Sequence, residues 1–233
     1  MPIVTLHQRW EQILENRCFF LFLAMLILLV SMPFLGETVH GRLIIGVINI
    51  TMLMTAVAAV GRSRFSLLFS FILAVPTLTF QVLALQSGDA GHFALSWSCN
   101  AVFYSLTLTR LLHYVLRKDT ITADKLYGAI AAYILIAILW GFLYGVLQYF
   151  YPGAYALGGT PKVLNMGDLI YFSFTALSTA GFGDITPLLI QSRFLTILEM
   201  ITGVMYVAIL IARLTGVYPI VGTKPPDTGG QAG

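Results

Sequence analysis

Long apolar stretches recur along this chain, and short polar segments separate them. A helix that crosses a membrane needs about 20 consecutive, mostly apolar residues. Six stretches are long enough, so each predicts a membrane-spanning helix. They cover residues 18–36, 42–60, 65–86, 93–116, 126–150 and 191–214.

A seventh apolar stretch, residues 167–178, is too short to cross a bilayer as a helix. Backbone that enters a membrane without crossing it is tolerated only where protein buries it or water surrounds it. The stretch therefore predicts a re-entrant helix. The fold class that follows is an all-α polytopic membrane protein with six transmembrane helices and one re-entrant helix.

Basic residues predict the orientation of these spans. With six spans both termini lie on one side, which holds nine basic residues against three on the other, while Arg110 lies inside the fourth span. Because cytoplasmic loops carry the excess of basic residues, both termini are predicted to be cytoplasmic. The segment from Tyr151 to Asp184 then faces outward.

Composition agrees with a lipid environment and argues against other classes of protein. Hydrophobic residues make up 58% of the 233 residues and charged residues 10%, whereas a soluble domain is about a quarter charged. The net charge of +3 comes from scattered residues, so no nucleic-acid-binding face is predicted. No span holds a pair of acids or a nucleophile beside a base, so we expect no enzyme and no organic cofactor.

The segment from Asp168 to Pro187, DLIYFSFTALSTAGFGDITP, has the most informative local pattern. Its apolar helix runs into TAGFGD, residues 179–184. Gly181 and Gly183 stand at alternate positions and allow positive φ angles that other residues avoid. Such a backbone turns successive carbonyl oxygens toward one axis. Four copies would form stacked oxygen rings that replace the water shell of a cation.

The TAGFGD sequence resembles the signature of potassium channels, whose common form is Thr-Val-Gly-Tyr-Gly-Asp. An aromatic-rich helix precedes it, Thr-Pro follows it, and a further span comes next, so the resemblance covers residues 126–215. It implies a homotetrameric, potassium-selective channel in a lipid membrane, with K⁺ ions in its filter. The implied K⁺ ligands are the carbonyl oxygens of Thr179, Ala180, Gly181 and Phe182, and the Thr179 hydroxyl.

The same resemblance places Gly183 at the outer mouth of the filter and Asp184 behind it. Two residues depart from the common form. Ala180 replaces valine and packs less tightly behind the filter, and Phe182 replaces tyrosine and lacks its hydroxyl. The alternatives to a potassium-selective channel are a weakly selective cation channel and a non-conducting regulatory subunit.

Residues around the filter have supporting roles by the same resemblance. Tyr171 lies where its hydroxyl reaches Asp184, and an interfacial tyrosine is the alternative. Thr175 occupies a position where some relatives carry glutamate. Glu199 is a charged residue inside the last span. We expect it to accept hydrogen bonds from Thr175 or Ser178, and the alternatives are that it is solvated or pairs with Arg193 or with another subunit.

The last span carries a predicted hinge and a predicted gate. Gly203 matches the glycine where inner helices of the family bend, and close helix packing is the alternative. A stripe of apolar residues recurs at spacings of four, three and four, which is one face of a helix. This stripe either gates the pore by excluding water or packs against the preceding span. Its members are Met200, Val204, Val207 and Ile211.

The fourth span does not have the pattern of a voltage sensor. It carries Arg110 and His113, and Arg117 follows at its cytoplasmic end. A sensor helix has many arginines that cross the membrane field, and the second and third spans contain no acidic residue as a countercharge. Strong voltage sensing is therefore not expected.

The chain divides into four predicted segments. The first is a cytoplasmic interfacial segment, and the last is a disordered cytoplasmic tail without a soluble regulatory domain. Between them lie a four-helix transmembrane domain and the pore domain. The compact architecture suggests a bacterial inner membrane. In chain order, the segments cover residues 1–17, 18–120, 121–216 and 217–233.

Overall fold

The structure of this chain is a computed structural model. Nearly all of the predicted interfacial segment and of the predicted tail lies outside the residues that it describes, and so do the junctions between three pairs of helices. The described residues are 17–35, 38–60, 64–117 and 122–217.

Seven helices account for most of the described chain. Each one coincides with a predicted apolar stretch, and the ends differ by no more than three residues. The helix that was predicted to be re-entrant is the shortest, with 12 residues. In chain order they are α1 (Arg17–Leu35), α2 (Val39–Val60), α3 (Arg64–Ser87), α4 (Ala90–Val115), α5 (Ala123–Phe150), α6 (Met166–Leu177) and α7 (Ile190–Val217).

Helices that could cross a membrane are present in the described residues. By length and composition, α1, α5 and α7 each satisfy the requirement for a spanning helix. Helix α6 is apolar but shorter, as expected for a helix that enters the membrane without crossing it. The chain is therefore an all-α membrane protein in its main architecture.

Helix α5 buries sixteen of its 28 residues. Helices α1, α4 and α6 pack against it. Small residues make this possible, because glycine and alanine let helix backbones approach closely in a membrane. A Cβ on Gly141 would lie 2.8 Å from the Ile170 side chain of α6, and one on Gly145 would lie 2.8 Å from the Trp97 ring of α4.

Polar groups within the bundle connect α2 to α4, and connect both α1 and α4 to α5. Tyr104 of α4 donates a hydrogen bond to the Asn49 side chain of α2. Near the start of α5, the Asp124 carboxylate accepts a hydrogen bond from the Cys18 backbone N–H at 2.8 Å and another from the Tyr114 hydroxyl at 2.8 Å. Hydrogen bonds between helices replace the water that a membrane does not supply.

A small antiparallel sheet follows α5, and the all-α expectation from the sequence missed it. Its strands are β1 (Tyr155–Leu157), β2 (Thr160–Pro161) and β3 (Ile185–Pro187), in the order β2-β1-β3. Gly158 and Gly159 join β1 to β2 with φ angles of +58° and +81°, which suits the tight turn of a β-hairpin. Strand β3 directly follows residues 179–184, so the sheet lies beside the end of that segment.

Candidate functional site

The segment between α6 and β3 has an alternating backbone. Thr179, Gly181 and Gly183 have positive φ angles of +58°, +53° and +79°, whereas Ala180 and Phe182 do not. The sequence predicted positive φ for the two glycines but not for Thr179, since a β-branched residue rarely adopts it. In an extended strand, successive residues face opposite ways. The alternation found here is the backbone form that turns consecutive carbonyl groups to one side.

Backbone hydrogen bonds attach the first half of this segment to the end of α6. The Thr179 N–H donates to the Ala176 carbonyl at 2.9 Å, and the Gly181 N–H donates to the Thr175 carbonyl at 3.2 Å. These carbonyls belong to the last turn of α6, where helix carbonyls lack partners within the helix. The helix end therefore holds the strained segment by groups that would otherwise lack partners.

Glu199 connects three helices behind the segment. Its carboxylate is completely buried, and it accepts hydrogen bonds from the Tyr144 hydroxyl of α5 and the Ser173 hydroxyl of α6. The Ser173 hydroxyl also lies 2.6 Å from the Ala137 carbonyl of α5. A buried charge needs such partners, so Glu199 is a fixed point between α5, α6 and α7.

The donors that the sequence suggested for Glu199 bond elsewhere. Thr175 donates to the Phe172 carbonyl at 2.8 Å, and Ser178 donates to the Phe174 carbonyl at 2.7 Å, both within the same stretch of chain. Ser173, two residues before Thr175 on α6, faces α7 and donates to Glu199 instead.

Tyr171 lies beside the outer part of the segment. Its ring stacks on the Phe182 ring, with centroids 6.5 Å apart and an interplanar angle of 9°. A side-chain hydrogen bond to Asp184, with the negative charge of that carboxylate, raises the pKa of the Tyr171 hydroxyl. The structure thus brings together the two residues that the sequence paired. Tyr171 and Phe182 are both exposed in the isolated chain.

Gly203 of α7 lies against the carboxyl end of α6. A Cβ at this position would lie 2.0 Å from the Leu177 carbonyl oxygen, a distance that no side chain tolerates. The glycine therefore allows α7 to approach α6, which accounts for its presence in the helix. A hinge at Gly203 stays a prediction.

The apolar stripe on α7 does not pack inside the chain. Met200, Val204, Val207 and Ile211 are 40 to 56% exposed. Other residues of α7 contact α5, among them Glu199 and Tyr206, whose hydroxyl donates to the Ala129 carbonyl at 2.5 Å. Packing of the stripe against α5 therefore does not explain why its apolar residues recur at spacings of four, three and four.

Three features of the site were missed from the sequence. Tyr144 and Ser173 are ordinary polar residues within apolar helices, and only the position of Glu199 could have indicated hydroxyl partners for it. The positive φ of Thr179 and the sheet after α5 left no strong sequence signal. Within the described residues, no group of His, Cys, Asp and Glu side chains could hold a metal ion.

Comparison with known proteins agrees with this geometry. Residues 129–218 match the model of a family described as ion channel. Over 170 residues, the chain is 25% identical to the voltage-gated potassium channel Kch of Escherichia coli strain K12. The match covers 72% of this chain and 37% of that relative, so the chain spans little more than a third of its length.

No solved structure matches the chain significantly. The family match covers most of α5 and all of α6, the alternating segment and α7. These are the parts that Glu199 and the backbone of residues 179–184 hold together. Residues 129–218 therefore resemble the ion channel family, and the similarity to Kch supports a pore of the potassium-channel type.

Proposed function

We propose that this chain is one subunit of a homotetrameric, potassium-selective channel that conducts K⁺ passively across a membrane. The observation that carries the proposal is the alternation of positive φ at Thr179, Gly181 and Gly183. Four copies of this backbone around one axis would supply the rings of oxygen atoms that a dehydrated K⁺ ion needs. Carbonyls of residues 179–182 and the Thr179 hydroxyl are the proposed ligands.

The exposed surface of the pore segment supports assembly with further copies. Phe182 is 72% exposed, and a groove of about 360 Å³ opens between α6, the filter and α7. Thr175, Thr179 and Met200 are among the residues that line it. A single chain supplies only one strand of a pore, so this surface suits the neighbouring subunits of a tetramer.

The membrane arrangement is part of the same proposal. The six long helices each span the bilayer, α6 re-enters from outside, and both termini lie in the cytoplasm. The proposed location is a bacterial inner membrane, and the similarity to a bacterial protein supports a bacterial source. Arg110 and His113 of α4 are both exposed, and α4 is proposed to lack strong voltage sensing, although the relative is named voltage-gated.

Two measurements on purified protein test the proposal. Native mass measurement is expected to give four times the chain mass of 25.6 kDa. Liposomes that contain the protein are expected to release K⁺ down its gradient and to retain Na⁺. Equal flux of both ions would favour a weakly selective cation channel, in which the small Ala180 side chain lets the filter relax. A tetramer without any flux would favour a non-conducting subunit.

A further inference from the structure

The loop after α5 forms a folded arm over the end of the filter. It comprises residues 151–165 and includes β1, its Gly158–Gly159 turn and β2. The three residues of β1 pair with β3 in the register Tyr155 with Pro187, Ala156 with Thr186 and Leu157 with Ile185. Beyond this pairing, the Gly158 N–H donates to the Asp184 carbonyl at 2.8 Å. The arm therefore pairs with residues 185–187 and is hydrogen-bonded to the Asp184 carbonyl.

The arm is itself firmly anchored. At its far end, the Gln148 side chain of α5 accepts a hydrogen bond from the Leu164 N–H at 2.7 Å and donates one to the Leu164 carbonyl at 3.0 Å. At its near end, the Ala154 carbonyl accepts bonds from the Leu188 N–H and the Ser192 hydroxyl, both at 2.8 Å. Tyr155 is completely buried against the rings of Tyr144 and Phe172. Such an arm is built to hold a position rather than to move.

The filter is thus held from both ends. Its inner half is bonded to α6 through the N–H groups of Thr179 and Gly181, and its exit is bonded to the arm through the Asp184 carbonyl. Only Phe182 and Gly183 lie between the two attachments. With positive φ at alternate residues, this backbone would relax if one attachment were lost.

We infer that Gly158 and Gln148 are positioning residues for conduction, which act through the arm to keep the outer end of the filter in its conducting form. This inference rests on the proposed potassium conduction. Loss of the attachment is expected to let the outer filter relax into a non-conducting form during sustained flow. External K⁺ is expected to oppose this relaxation, because an ion bound in the filter holds its carbonyls in place.

A pair of proline substitutions tests the Gly158 attachment. Gly158→Pro and Gly159→Pro impose the same conflict on the turn, since both glycines have positive φ and proline is fixed near −65°. Only the first removes the N–H that binds Asp184. Gly158→Asn keeps that N–H and tolerates positive φ. The experiment measures the decay of K⁺ current through reconstituted channels at low and at high external K⁺.

Gly158→Pro is expected to accelerate the decay about tenfold, the factor that corresponds to one ordinary hydrogen bond. High external K⁺ is expected to restore slow decay, and Gly158→Asn and Gly159→Pro are expected to resemble the wild type.

If Gly158→Pro fails to assemble, Gln148→Leu supplies the test, since it releases the far end of the arm without altering the turn. The inference would be overturned if the K⁺ current decayed at the same rate in Gly158→Pro and Gly159→Pro. Where Gln148→Leu is needed, a current that decayed as slowly as in the wild type would overturn it as well. A wild type that carries no K⁺ current would instead refute the proposed function.

Discussion

Gly181 and Gly183 have space for a side chain but lack a backbone conformation that accepts one. A Cβ on either residue would meet no atom of this chain within 4 Å. Their φ angles of +53° and +79° are nevertheless values that L-residues rarely adopt. The cost of a substitution is therefore conformational, about 1 to 2 kcal/mol per residue, and a tetramer incurs it four times.

Gly181→Ala and Gly183→Ala are each expected to abolish K⁺ flux while leaving the protein in the membrane. The added Cβ favours negative φ and turns the neighbouring carbonyl away from the axis. A matched control is Gly153→Ala, because Gly153 also has positive φ, +84°, and open space around it. The measurement is K⁺ flux per assembled tetramer in liposomes. Normal flux in both filter variants would refute the filter assignment.

Glu199→Ala is expected to destabilise the assembled protein. It leaves the buried Tyr144 and Ser173 hydroxyls without their acceptor, which costs about 1 to 3 kcal/mol for an unsatisfied buried group. Glu199→Gln keeps an acceptor oxygen and is expected to cost less. Ser178→Ala is the control, because that exposed hydroxyl bonds only within its own stretch of chain.

The temperature at which the purified protein loses its assembled form measures these effects. The expected order of stability is wild type and Ser178→Ala first, then Glu199→Gln, then Glu199→Ala. An assembly with Glu199→Ala that is as stable as the wild type would show that the carboxylate does not fasten the three helices.

Among the helices, Gly203 of α7 allows a close approach to the carboxyl end of α6. Gly203→Ala places a methyl group 2.0 Å from the Leu177 carbonyl oxygen, so α7 must move away from α6. Gly216→Ala is a matched control in the same helix, since nothing lies within 4 Å of its Cβ position. We expect Gly203→Ala to lower the yield of assembled protein and Gly216→Ala to leave it unchanged, as measured by size-exclusion chromatography. Unchanged yield with both would mean that the helices separate at little cost.

The exposed stripe on α7 is expected to form the gate. Val207→Asn or Ile211→Asn would wet a hydrophobic constriction and raise resting K⁺ flux per tetramer. Ile209→Asn is the control, because Ile209 is equally exposed but lies off the stripe. Reduced or unchanged flux in both stripe variants, with normal assembly, would exclude a gate at these positions. Lower assembly instead would mean that the stripe packs against a neighbouring subunit.

The helices and the positive φ angles of Gly181 and Gly183 could be predicted from the sequence because their signals are local. Apolar length predicted α5, α6 and α7 to within three residues. The hydroxyl partners of Glu199 could not be predicted, since Tyr144 and Glu199 are 55 residues apart and meet only through helix packing. The arm was missed for a similar reason, as its strands have three residues or fewer and depend on pairing with residues after the filter.

Across the whole molecule, the two long helices of the pore segment differ in exposure. Helix α5 is enclosed by its own chain, whereas α7 exposes a long series of large apolar side chains, Phe194, Ile197 and Ile201 among them. Contiguous apolar surface of this kind is covered by lipid or by a partner. A fourfold arrangement assigns part of it to neighbouring subunits, part to the pore and the remainder to lipid.

The reversal potential of the reconstituted channel, with K⁺ on one side of the membrane and Na⁺ on the other, decides whether the pore selects K⁺. Stacked carbonyl rings from residues 179–182 should favour K⁺, so we expect a reversal potential displaced far toward the K⁺ equilibrium value. Gly183→Ala in the same membrane serves as the non-conducting reference. A current that reverses near zero would contradict a potassium-selective filter in this chain.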